Sequence, residues 1–178
     1  MEVLSVHRYV DVPTGQLHFV GEVRNNTSRN QTFVRITLTL RQAGQAVYSA
    51  TVFSMLSTLR PGELSPFDFA MTPPPPYDSY GFAITSQPTD RDPVDDFAIL
   101  SQRSFTDTLT TLAVVGELRN DLPSAVAFVV VVGTFYDSQG AVWNAGQVYT
   151  LLDRLAAGQR SPFRLAVSGA PQIVSYTL

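Results

Sequence analysis

The chain has no cysteine, and its twelve basic residues are all arginine, so lysine is missing as well. Without thiols there is no thiol nucleophile, no thiolate zinc site and no disulfide. Without lysine there is no Schiff-base chemistry and no P-loop. Charge is sparse too: fifteen acidic against twelve basic residues leave a net −3, a field too weak to attract nucleic acid or anionic lipid. Long apolar runs are lacking. The longest, Ala125 to Val132, is far short of the roughly 20 residues that span a bilayer, so no membrane insertion by this segment is expected. No basic and apolar leader stands behind Met1, and no signal peptide is expected in this chain. Neither a Gly-x-Ser-x-Gly elbow nor a phosphate-cradling glycine loop occurs. The two histidines, His7 and His18, have no metal-ligand spacing. We therefore expect no catalytic residue, no cofactor and no metal site, and read the chain as a non-enzyme.

What the chain does contain, it contains twice. Val20-Gly21-Glu22-Val23-Arg24-Asn25-Asn26 returns as Val115-Gly116-Glu117-Leu118-Arg119-Asn120-Asp121, a separation of 95 residues (116 − 21). Leu59 to Phe67, with Pro61-Gly62 and Ser65-Pro66-Phe67, returns as Leu155 to Phe163, with Ala157-Gly158 and Ser161-Pro162-Phe163, a separation of 96 (158 − 62). Two motifs held at one spacing mean a duplicated fold unit, and the spacing suits a small domain rather than a solenoid repeat.

Within each copy the apolar residues alternate with period two and show no helical stripe. Strands are expected near 2–12, 16–25, 32–41, 46–57, 63–71 and 79–86, and again near 97–107, 110–120, 126–136, 141–152, 160–167 and 172–178. Turns such as Pro13-Thr14-Gly15, Ala43-Gly44 and Ser138-Gln139-Gly140 separate them. This pattern defines an all-β chain of two tandem immunoglobulin-like antiparallel β-sandwiches, spanning 1–87 and 97–178. Residues 88–96, with two prolines and several aspartates, form the expected linker. Asp90, Asp92, Asp95 and Asp96 offer calcium-type oxygen ligands, but their spacing matches no EF-hand loop, and a solvated acidic linker is the preferred reading. Gly21 and Gly116 fall on the inward phase, where a missing side chain lets the facing sheet approach. Glu22 with Arg24, and Glu117 with Arg119, fall outward and are expected to pair in solvent.

The order of these elements resembles the FxLYD domain family, tandem immunoglobulin-like modules of bacterial and archaeal proteins that are often exported. The naming motif aligns with Gly133-Thr134-Phe135-Tyr136-Asp137 in the second copy and with Leu38-Thr39-Leu40-Arg41-Gln42 in the first, where the Tyr-Asp ending is lost. The resemblance implies the sandwich fold and an extracytoplasmic or cell-surface location. It implies no activity.

The two copies differ most along their third strand. In the first, Val34, Ile36, Leu38 and Leu40 face inward, and Arg35, Thr37, Thr39 and Arg41 face outward. In the second, the outward set is Phe128, Val130, Val132, Thr134 and Tyr136. An apolar strip on an outward sheet face is normally covered, so Phe128, Val130, Val132 and Tyr136 are the candidate interaction surface. Its cover is the other domain, a second copy of the chain, or a protein partner. The expected function is thus a non-catalytic structural or protein-interaction module acting through sheet faces and edge strands. The alternative is a small-ligand or carbohydrate-binding module, for which Tyr77, Tyr80, Trp143 and Tyr149 are the aromatics to gather.

Overall fold

The computed structural model describes residues 1–12, 14–108 and 110–178; Pro13, which opens the expected Pro13-Thr14-Gly15 turn, lies outside them. The chain divides into two compact units, Met1–Pro93 and Val94–Leu178. In the first unit the strands are β1 (Glu2–Val10), β2 (Leu17–Arg24), β3 (Asn30–Gln42), β4 (Gln45–Phe53), β5 (Thr58–Leu59), β6 (Leu64–Met71) and β7 (Ser79–Thr89). In the second they are β8 (Phe97–Thr108), β9 (Thr111–Asn120), β10 (Val126–Ala127), β11 (Val130–Tyr136), β12 (Val142–Tyr149), β13 (Arg154–Leu155), β14 (Arg160–Ser168) and β15 (Ser175–Thr177), with one 3₁₀ turn at Ala170–Gln172. All pairings are antiparallel.

Each unit is a sandwich of the same topology. Sheet β1-β2-β6 in the first corresponds to β8-β9-β14 in the second, and β4-β3-β7 corresponds to β12-β11-β15. The inward sets of the two sheets meet in one core per unit. Phe19, Val23, Ile36, Leu38, Phe67 and Phe69 belong to the first core, and Val114, Leu118, Val131, Phe135, Phe163 and Leu165 to the second. Period-two alternation places those residues on one face, and burying them supplies most of the driving force, at about 25 cal/mol per Å² of apolar area. The expected 88–96 stretch begins inside a strand, since β7 continues through Thr89 and Pro88 pairs with Gln31. β7 is an outer strand of its sheet, where proline is tolerated.

Residues recurring in both copies do the same architectural work. Asn25 is fully buried and donates from Nδ2 to the carbonyls of Arg29 (2.8 Å) and Leu59 (2.9 Å). Asn120 donates likewise to Ser124 (2.9 Å) and Leu155 (3.1 Å). The buried hydroxyls of Ser65 and Ser161 accept the amides of Leu56 and Leu152 at 2.9 and 3.0 Å.

Two expectations need correction. Gly21 and Gly116 make room within their own sheet and not for the facing one. A Cβ at Gly21 would lie 2.7 Å from Cζ of Phe67, its cross-strand partner, and closer still to the Ser5 carbonyl; at Gly116 the ring atom is Cζ of Phe163, at 2.6 Å, and the carbonyl that of Ser101. Ser5 and Ser101 sit at matching register shifts in β1 and β8. The expected Glu-x-Arg pairs are also replaced. Arg24 pairs with Glu2, Arg119 with Asp121, and Glu117 with Arg160 at 3.3 Å, while Glu22 is buried. Residues i and i+2 on one strand face stand about 6.6 Å apart at 3.3 Å per residue, whereas directly opposed residues lie about 5 Å apart. The directly opposed Glu2 therefore wins at Arg24, whereas Arg160, the partner of Glu117, stands diagonally across the β9–β14 ladder, where it opposes Arg119.

Candidate functional site

The third strand breaks its ladder at equivalent points. Phe33 has φ 49° and Phe128 has φ 55°, left-handed values that are genuine outliers for a bulky aromatic residue. At this step the strand leaves its two-residue partner, β5 or β13, and takes up β4 or β12. The turned backbone ejects both rings: Phe33 is 60% exposed and Phe128 69%. Beside Phe128 lies Tyr149, 62% exposed, with ring centroids 6.4 Å apart and edge to face. Tyr149 pairs across the ladder with Val130, itself 37% exposed.

The candidate surface is therefore graded. Phe128 and Val130 are open, and Tyr149, placed in the sequence among the ligand-binding aromatics, joins them. Val132 and Tyr136 are half-buried, and Thr134 is buried. The aromatics of the alternative reading are dispersed in role. Tyr77 and Tyr80 pack on Phe19, with centroids 6.5 and 5.1 Å away. Trp143 lies against Gly169, where a Cβ would collide with its indole.

A second cluster has no counterpart in the sequence reading. On the outer face of β1-β2-β6, His7 stacks on Tyr9 (5.4 Å) and Tyr9 on His18 (4.8 Å, planes 8° apart). His18 Nδ1 lies 3.0 Å from both carboxylate oxygens of Asp68. Burial pushes the Asp68 carboxyl above its ordinary 3.8, outweighing the opposing pull of His18. The signal in the sequence is the shared outward phase of His7, Tyr9 and His18; Asp68 joins only through the β2–β6 register. The arrangement provides a flat aromatic platform with a hydrogen-bonded imidazole at one end. Among the described residues, no three His, Asp or Glu side chains stand as a metal-holding group, and no helix is long and apolar enough to cross a membrane.

Of the linker aspartates, Asp90 pairs with Arg29 at 2.8 Å and Asp92 accepts from Asn30 Nδ2 at 3.2 Å. Both carboxylates are thus engaged by side chains at the start of β3.

The fold is that of an all-β protein of antiparallel β-sandwiches, with exposed aromatic and apolar side chains among its surface features. No family model and no curated protein matches the chain. Matches among solved structures include a β-glucuronidase from glycoside hydrolase family 2, 12% identical with a TM-score of 0.37, covering 90% of this chain and 20% of that one. Red sea bream transglutaminase is 12% identical with a TM-score of 0.27, covering 94% and 27%. A calcium-binding mutant of Bacteroides uniformis beta-glucuronidase 2 is 13% identical with a TM-score of 0.28, covering 94% and 24%. The chain spans about a quarter or less of these proteins.

Proposed function

We propose that the chain is a non-catalytic interaction module of an exported or cell-surface protein, akin to the FxLYD modules it resembles. It meets a protein partner, or a copy of itself, through sheet faces and strand edges. The observation that carries this reading is the open patch of Phe128, Val130 and Tyr149 on the second unit, built on a left-handed Phe128. Exposed apolar surface of this kind marks contact sites, and backbone strain collects where function requires it.

The test is sedimentation and thermal melting of the chain with Phe128→Ser and Tyr149→Ser combined. The expected result is concentration-dependent association that the double variant weakens at an unchanged melting temperature. A parent chain that stays monomeric at every concentration and melts lower with the same substitutions would overturn the proposal, since the patch would then belong to the unit's own packing.

The alternative, a small-ligand or carbohydrate-binding module, draws its support from the His7–Tyr9–His18 stack, a platform on which a flat ligand face can lie. A glycan screen of the parent chain and Tyr9→Ala separates the two: binding lost in Tyr9→Ala would favour the alternative.

A further inference from the structure

The connection from β6 to β7 and the one from β14 to β15 have the same length, and their sequences send them different ways. The first unit has Pro73-Pro74-Pro75-Pro76 where the second, at a separation of 96 (169 − 73), has Gly169-Ala170-Pro171-Gln172. In the second unit the chain coils into the 3₁₀ turn at Ala170–Gln172, with Ala170 buried and Gly169 against the Trp143 indole. Four successive prolines oppose that turn. Each ring fixes φ at about −65°, and a residue that precedes proline is driven from the helical region into extended backbone. Pro73, Pro74 and Pro75 meet both conditions, so the tract is a left-handed polyproline II segment, with three residues and about 9 Å per turn. Pro73 and Pro76 then share one side, and both are exposed, while Pro74 is half-buried. The tract is held at both ends: Met71 lies in the core, and the Tyr77 hydroxyl accepts from Arg8 Nη1 at 2.9 Å while its ring packs on Phe19.

An open aromatic pair recurs in both units. Phe33 and Phe53 of the first, 60% and 57% exposed, correspond at separations of 95 and 96 (128 − 33 and 149 − 53) to Phe128 and Tyr149 of the second. In each unit the first ring is turned out by left-handed backbone, and the second faces the third strand two residues further on, Phe53 opposite Arg35 and Tyr149 opposite Val130. The first pair stands open beside a complete sheet, because β7 accompanies β3 from Asn30–Thr89 to Arg41–Ser79. Neighbouring outward positions differ between the units, Arg35 and Thr37 against Val130 and Val132. The two exposed rings are nevertheless present in both, and exposed apolar surface at a matched place marks contact.

We infer that each aromatic pair is a seat for a polyproline II segment, and that the segment is Pro73–Pro76 of a second copy of the chain. The inference names the occupant of the contact surface in the interaction-module reading and rests on that reading. Aromatic surfaces dock proline-rich segments because such a segment is already extended and loses little entropy on binding. Anchoring at Met71 and Tyr77 preorganises this one further. Proline rings lie against the aromatic rings, and the tract's carbonyls, which have no internal hydrogen bonds in this conformation, accept from donors beside them, in the second unit the Tyr149 hydroxyl. Ligand and seat are thus both written into one chain.

The test is sedimentation velocity of the full chain over a range of concentrations, with circular dichroism during urea unfolding to check that each variant folds. Four chains are compared: the parent; Pro73→Gly with Pro74→Ala and Pro76→Gln, which gives the tract the sequence of Gly169–Gln172; Phe33→Ser with Phe53→Ser; and Phe128→Ser with Tyr149→Ser. The parent should associate as concentration rises, the proline variant should associate more weakly by at least about tenfold, the loss expected of a hot spot, and each aromatic variant should also be weakened. A synthetic peptide of sequence Met71–Tyr77 should compete with the association, and the same peptide with alanine at its four prolines should not. A proline variant that associates as the parent does, or a Met71–Tyr77 peptide without effect, would overturn the inference; the interaction-module reading would survive if the Phe128 and Tyr149 variant were still weakened. Loss in the proline variant with none in either aromatic variant would put the seat elsewhere and overturn it as well. A parent that stays monomeric at every concentration would overturn the inference and the self-association reading together.

Discussion

The two units agree wherever the backbone makes a demand and diverge wherever it does not. Gly21 lies beneath Phe67 as Gly116 lies beneath Phe163, and Asn25 ties its loop as Asn120 does. On the outer face of the first sheet, by contrast, the positions held by His7, Tyr9, His18 and Asp68 become Arg103, Phe105, Ala113 and Arg164. There the contacts are Arg103 against the Phe105 ring, 5.9 Å from its centroid, and an ion pair between Arg164 and Asp107. An aromatic and imidazole platform in one unit has become an arginine-rich face in the other on an unchanged frame. The inward positions are held by packing and buried hydrogen bonds, which tolerate little substitution, while outward positions change at small energetic cost.

The strongest way to break this comparison is to disturb the frame in one unit at a time. Gly21→Ala and Gly116→Ala each drive a methyl into a backbone carbonyl and a buried ring, and each should destabilise its own unit by about 3 kcal/mol, the upper range for overpacking. Trp143 is the single tryptophan and lies in the second unit, so its fluorescence during urea unfolding reports that unit, while circular dichroism reports both. Similar losses are expected from the two variants. A tolerated Gly116→Ala beside a damaging Gly21→Ala would show that the second unit is packed differently. Next in size come Asn25→Ala and Asn120→Ala, which leave the Leu59 or Leu155 carbonyl without its buried donor. A loss of about 2 kcal/mol is expected from each, and a loss confined to one copy would mean that the shared asparagine has two different roles.

Duplication, strand alternation and most of the inward set were legible in the sequence because each is carried by spacing along the chain. Features that arise between strands were not. Nothing local announces that Phe33 and Phe128 turn left-handed, since glycine or asparagine is the usual marker of that conformation. The stretch 172–178 reads as a full strand by its apolar content, yet Ala170–Gln172 coils into a 3₁₀ turn and only Ser175–Thr177 pairs. The His7, Tyr9, His18 and Asp68 cluster draws on three strands and exists only once the register is known. The two phenylalanines also give a sharper comparison. Phe33→Gly and Phe128→Gly relieve the left-handed strain but free the unfolded chain, so a net gain of about 0.5–1 kcal/mol is expected in each unit. A gain at Phe33 with a loss at Phe128 would mean that the second ring is held by contacts which the first lacks.

The smallest expected effect is a slope with pH, and it should appear in the first unit alone. Burial raises the Asp68 carboxyl above 3.8, its ordinary value, more than His18 lowers it. The folded unit therefore holds that proton more tightly than the unfolded chain does. The resulting stabilisation is complete below about pH 3.8, the unfolded value, and is lost as pH rises through the raised folded value. Measured against Asp68→Asn, the parent chain should thus be relatively most stable in acid and lose that advantage toward neutrality, with hydrogen exchange at Phe19 and Val20 reporting the first unit. In the second unit Arg164 occupies the equivalent position, and unfolding followed by Trp143 should show no difference between parent and Asp68→Asn at any pH. A parent advantage that instead grew as pH rose would mean that His18 governs the pair and burial does not, reversing the order of causes at the site where the two units differ most.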